Sequence, residues 1–232
     1  MKGTLLNSLL ILAGSLLGLA MHRRLTRTTA DTILQAIGLF VLYVGADMVG
    51  QLQHAQKPLA ALVCLAAGTW VGAVLRIEDR LQSLGRLAEA RFGGAEAGSG
   101  RFARGLVSAS LLFAVGPMAI LGSIQDGTTG DYRILLTKGM MDGIASVAFA
   151  STLGPGVAVS SAVVFIYQGL IAAGAGVLAG LFTPPAIALL SGTGGLLIVG
   201  LGLNLVGATR LPVANMLPSL LFALLVPLLP LP

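Results

Sequence analysis

GLFVLYVGADMVG, residues 38–50, and GLLIVGLGLNLVG, residues 195–207, carry one pattern twice. Gly38, Gly45 and Gly50 recur as Gly195, Gly202 and Gly207, and Asp47 recurs as Asn204, all at an offset of 157. Chance matching of glycines is the alternative in a chain with 32 of them. A polar position shared inside two apolar runs argues against chance. The neighbours agree loosely. LILAGSLLG (10–18) resembles LIAAGAGVLAG (170–180), and apolar runs led by Pro58 and Pro218 follow each copy.

The chain around these copies is 232 residues long, 56% hydrophobic and only 10% charged. Its mean hydropathy is +0.93. A soluble domain is about 45–50% apolar and about 25% charged. Apolar runs of about 18 residues recur here, each long enough to cross roughly 30 Å of hydrocarbon. The fold class is therefore an all-α integral membrane protein. The alternating pattern of a β-barrel, about ten residues per strand, is absent. We read eight spans, at 4–21, 33–50, 58–75, 104–122, 134–153, 157–181, 187–207 and 213–230, the fourth broken at Gly116-Pro117. The first could instead be a signal peptide, with Gly18-Leu19-Ala20 as its cleavage site. A single Lys2 before it and basic residues directly after it speak against that.

Charge sets the direction. Arg23, Arg24 and Arg27 lie in the first loop, six arginines between Arg76 and Arg104 in the third, and Arg210 in the seventh. The other side has only Lys2, Lys57, Arg133 and Lys138. Basic loops stay in the cytoplasm, so both termini face out. The net charge of +5 thus reflects topology rather than nucleic-acid binding. If spans one to three recur as six to eight, the copies lie five spans apart. An odd spacing inverts one copy, and inverted-topology repeats are common in secondary transporters. The single transmembrane domain, 1–232, then divides into a first repeat (1–75), a cytoplasmic segment (76–103), central polar spans (104–156) and a second repeat (157–232).

In the cytoplasmic segment, Ile77, Leu81, Leu84, Ala88 and Phe92 form one helical stripe with arginines opposite. Such a helix rests on an anionic inner leaflet or docks a partner. GGAEAGSG (93–100) reads as a linker. Three Gly-xxx-Gly pairs, at Gly14, Gly68 and Gly176, suit close packing within the chain or a homo-oligomer.

The acids concentrate in GPMAILGSIQDGTTGDYRILLTKGMMDG (116–143), with three aspartates, one arginine and one lysine. A charge in hydrocarbon costs about 2.5–3.5 kcal/mol on insertion scales and marks ion or substrate paths. Lys138 and Asp142 are spaced i, i+4 and share a helical face. They form either an ion or proton site or a structural pair. Gly116, Pro117 and Gly122 break the fourth span, and Ser123, Gln125, Asp126 and Gly127 follow. Gly127 allows a turn with φ > 0. The stretch is either re-entrant, with freed backbone groups as ligands, or an outer loop of turn residues. Asn7, Asp47, Gln168 and Asn204 are the remaining polar residues within spans. Each is either interhelical glue or part of an inner site.

Gly3-Thr4 with Asn7 and Gly14, the motif GPMAILGSIQDG (116–127), Lys138 with Asp142-Gly143, Tyr167-Gln168-Gly169, and Gly202 with Asn204 together resemble the YqgA/YdfK family of bacterial inner-membrane proteins. The resemblance covers nearly the whole chain. It implies a multi-pass protein of the bacterial inner membrane and leaves the activity open. It also implies a cysteine where this chain has Ala114, so thiol chemistry there is dispensable.

From the residues we expect a small secondary transporter or channel for an ion or small polar solute. Asp142 would bind a cation or proton with Lys138 as counter-charge. Gln125 and Asp126 would stand at the mouth, and Asn204, Asp47 and Gln168 would complete the inner site. The alternative is a scaffold or sensor acting through the basic helix. No cofactor motif, metal-ligand cluster or Ser-His pairing appears, and an enzyme is not expected.

Overall fold

A computed structural model describes residues 1–22, 26–55, 59–92, 100–178 and 180–226. Lys57, Pro58, Arg23, Arg24 and, of the expected linker at 93–100, residues 93–99 lie outside the described residues. Eleven helices follow one another: α1 (Lys2–His22), α2 (Arg27–Gly50), α3 (Ala60–Val74), α4 (Ile77–Phe92), α5 (Arg101–Ala114), α6 (Pro117–Thr128), α7 (Arg133–Leu153), α8 (Gly156–Ala173), α9 (Ala175–Leu178), α10 (Pro184–Val206) and α11 (Pro218–Leu225). The described residues hold no strand.

Among the described residues five helices are long and apolar enough to cross a membrane: α1, α2 with the 3-10 turn after it, α7, α8 and α10. Two bent pairs raise the number to seven if each is one span. One is α3 with the start of α4, bent by 54°; the other is α5 with α6, bent by 65°. Of the last expected span, 213–230, the described residues form an apolar helix over Val213–Leu225, and 227–230 lie outside them. The expected sixth span, 157–181, ends early. The Gly174 N–H turns back to the Leu170 carbonyl and closes α8, and only the short α9 follows.

Glycine and proline explain the break between α5 and α6. Gly116 has φ +154°, which a residue with a Cβ rarely adopts. Pro117 then opens α6, where its missing N–H is no loss. The bend before α4 has a different origin. Arg76 takes φ +50°, the left-handed region, without being glycine.

The chain divides into two compact units. The first comprises Met1–Ile37, Leu81–Ala114 and Met118–Gly176. Lipid tails are as apolar as leucine, so helices here are joined by close packing and hydrogen bonds rather than by hydrophobic force. Small residues supply the closeness. Gly3 faces Tyr132 and Leu135, Gly14 faces the Gly143 carbonyl, and Gly18 faces Val147 and Ala150. Residue numbers rise together, so α1 and α7 run parallel. The Ser146 hydroxyl reaches the Ile11 carbonyl at 3.0 Å across the same seam. Gly156 abuts the Phe102 carbonyl, joining α8 to α5. Phe113 and Phe149 meet edge to face, 6.2 Å between centroids.

The second unit comprises Gly38–Arg80, Val115–Pro117 and Val177–Pro232. Its central seam joins α2 to α10 through the two glycine patterns. A Cβ at Gly38 would lie 2.9 Å from the Val206 nitrogen, and one at Gly45 2.7 Å from that of Val199. In return, a Cβ at Gly195 would lie 2.7 Å from the Val49 nitrogen, and one at Gly202 3.0 Å from that of Leu42. Numbers fall on one helix as they rise on the other, so α2 and α10 are antiparallel. Gly68 on Ser219 and Gly72 on Asn215 make α3 and α11 antiparallel too. The start of α4 is clamped in this unit. Glu78 N–H donates to Asn215 Oδ1 at 2.8 Å, and Ala214 N–H donates to Glu78 Oε2 at 3.0 Å.

Candidate functional site

The site grows from three helices of the first unit. The spacing of Lys138 and Asp142 puts both on one face of α7, and they form an ion pair. Each is nearly buried, at 6% and 8% exposure. Gly139 lies between them, and its missing side chain lets Asn7 of α1 come down onto α7. A Cβ there would sit 3.2 Å from Asn7 Oδ1. Asn7 thereby lies beside the Lys138–Asp142 pair. Its Nδ2 donates to Gln168 Oε1 of α8 at 3.0 Å. Lys138, Asp142, Asn7 and Gln168 thus form one polar chain through an apolar bundle.

The chain is incomplete. Asn7 and Gln168 are fully buried, yet Asn7 Oδ1 and Gln168 Nε2 have no partner. A buried polar atom left unpaired costs about 1–3 kcal/mol, so such atoms are rare in a folded interior. Rotating both amides would exchange the roles but would still leave one donor and one acceptor open.

Asp126 is not at a mouth, where the sequence suggested it, but 3% exposed against the start of α1. The first turn of a helix has N–H groups with no partner inside the helix. Asp126 Oδ2 accepts from the Thr4 N–H at 3.1 Å and from the Thr4 hydroxyl at 3.4 Å. The Met1 amine lies 3.2 Å from Oδ1. A carboxylate on α6 therefore caps α1, aided by the helix dipole. Gly127 is helical rather than in a turn of positive φ; its missing side chain makes room for the Ala172 carbonyl of α8.

The other expected residues are dispersed. The Ser123 hydroxyl bonds the Ala119 carbonyl of its own helix at 2.6 Å. Gly122 packs on Ile134 and Leu135, and Gly116 makes the bend. Gln125 is exposed on α6. Asp131 bonds the Arg133 N–H at 3.1 Å and so starts α7. The three aspartates of 116–143 thus cap α1, start α7 and pair with Lys138. Asp47 and Asn204 belong to the second unit. Asp47 is exposed on α2. Asn204 closes the loop after α10, exchanging two bonds of 2.8 Å with Leu211 and accepting from the Thr209 hydroxyl at 2.9 Å. Glu78 and Asn215 escaped the sequence reading, and Thr4 entered it without its partner, since nothing local marks their distant partners. Among the described residues no group of three His, Cys, Asp or Glu side chains converges to hold a metal ion.

Comparison with known proteins bears on this arrangement. Residues 2–228 match the family described as protein of unknown function (DUF554). The chain is similar to the uncharacterized membrane protein YdfK of Bacillus subtilis (strain 168), 34% identical over 222 residues, covering 95% of this chain and 93% of that one. It is also similar to the uncharacterized protein YqgA of Escherichia coli (strain K12), 30% identical over 224 residues, covering 96% and 94%. No solved structure matches.

Proposed function

The chain belongs to the DUF554 family, and from that premise we propose that it is a small secondary transporter or channel, not an enzyme, moving an ion or small polar solute across a bacterial inner membrane. The observation that carries the reading is the buried network of Lys138, Asp142, Asn7 and Gln168, with two amide atoms unpaired. Ionisable groups held inside a span face the bundle interior and mark pathways.

The α2–α10 seam supports an inverted repeat beneath this reading. Shift the contact of Gly45 with Val199 by the sequence offset of 157, and it becomes the contact of Gly202 with Leu42. Shift that of Gly38 with Val206, and it becomes that of Gly195 with Val49. A two-fold axis between the copies produces such exchange. Eight crossings also fit the helix directions. Three crossings between α1 and α7 make them parallel; four between α2 and α10, or between α3 and α11, make each pair antiparallel. This counting takes α5 with α6 as one broken span, and both termini face out.

The test is thermal unfolding of the purified protein in detergent, with ions and small solutes titrated in. A ligand at 100 times its Kd stabilises by about 2.7 kcal/mol. The wild type should respond to a ligand and Asp142→Asn should not, whereas equal responses would remove Asp142 from the site.

A second reading, a scaffold or sensor acting through α4, draws on the clamp between Glu78 and residues 214–215. Deleting 76–100 separates the two: a transporter keeps some flux, and a sensor loses all function.

A further inference from the structure

We infer that the network on α1, α7 and α8 takes a small uncharged solute that both donates and accepts hydrogen bonds, of the carboxamide or urea type. The inference rests on the transport reading above and narrows its cargo.

Charge comes first. Lys138 and Asp142 are paired one to one inside the bundle. Asp126, the other buried carboxylate among the unit's described residues, is engaged at the start of α1. The network is therefore neutral as a whole. A cation approaching Asp142 meets the Lys138 ammonium, and an anion approaching Lys138 meets the Asp142 carboxylate. Either must break the pair and leave one buried charge uncompensated, which is strongly unfavourable. A neutral solute requires no such exchange.

Hydrogen bonding comes second. The open atoms are one acceptor, Asn7 Oδ1, and one donor, Gln168 Nε2, on side chains already joined by a 3.0 Å bond. A solute that only donates or only accepts satisfies one and strands the other. A carboxamide offers an N–H to Asn7 and a carbonyl to Gln168, and so completes both. The charges beside them, Lys138 and Asp142, compensate each other, so the site reads polarity without reading charge. Sites built to hydrogen-bond a substrate reject analogues lacking the group, because their own atoms then stay unpaired.

The experiment uses the full chain in proteoliposomes. Urea and acetamide entry is followed by osmotic swelling, and sodium and chloride entry by ion-sensitive dyes in the same vesicles. Urea and acetamide should pass; sodium and chloride should not. The double variant Asn7→Leu with Gln168→Met removes both open atoms together with their mutual bond. It should stay folded, since an apolar filling replaces a half-satisfied network, yet lose urea entry by about tenfold or more, the equivalent of one hydrogen bond or more. As a second probe, Gln168→Glu adds a negative charge and should admit sodium. Unchanged urea entry in the double variant overturns the inference, as does water passing alone. Sodium or chloride flux in the wild type that Asp142→Asn abolishes also overturns it but leaves the transport reading standing. No flux of any probe removes both.

Discussion

Lys138 and Asp142 lie one helical turn apart inside a bundle, and neither is stable there alone. Removing one partner strands a buried charge, at a cost of about 3–5 kcal/mol, while replacing both by apolar residues of similar size is close to neutral. Lys138→Met should therefore lower stability far more than Lys138→Met combined with Asp142→Leu, as measured by unfolding in detergent. If the single and double variants fall together, the pair is not an isolated unit. Asp126 makes a different kind of contribution, since it substitutes for a local cap. Asp126→Ala should cost about 1–2 kcal/mol, the worth of a helix cap, and should speed amide exchange at Thr4 while leaving exchange in the middle of α7 unchanged.

At the scale of elements, the bends carry the prediction. Arg76 holds a left-handed conformation between α3 and α4, which costs a non-glycine residue about 1–2 kcal/mol. Arg76→Gly should match or exceed the wild type in stability, and Arg76→Val should fall below it; the reverse order in thermal unfolding would mean that the strain is absent. Such bends were only partly legible in the sequence. Gly116-Pro117 announces its own break, because glycine and proline act locally. Arg76 announces nothing, because arginine has no local preference for that conformation, and the clamp of Glu78 on residues 214–215 beside it joins distant parts of the chain. The same division holds at the site. The Lys138–Asp142 pair could be read from a spacing of four. The bond between Asn7 and Gln168 spans 161 positions, and that between Thr4 and Asp126 spans 122. No local pattern encodes such a meeting; only packing of the finished bundle does. Gly127 looked like a turn residue because its neighbours are polar, whereas its lack of a side chain serves the approach of α8.

For the whole molecule, the proposed two-fold repeat makes a quantitative demand. Gly45 and Gly202 occupy equivalent places in the α2–α10 seam, each against a backbone nitrogen of the other helix. Gly45→Leu and Gly202→Leu should destabilise to similar extents in unfolding assays, and a large inequality would weaken the case for two-fold equivalence. Direction can be tested separately. In a Cys64→Ala background, Thr129→Cys should react with an impermeant maleimide on intact cells, and Ser83→Cys only after permeabilisation; the opposite pattern would invert the orientation. The two compact units also bear on how the protein is made. Each joins early residues to late ones. A ribosome releases α1 into the membrane long before it reaches Asp126 or Gln168, so the first helix must wait with an uncapped end and a bare asparagine. Partial chains would then expose polar groups to lipid at every stage until α8 arrives.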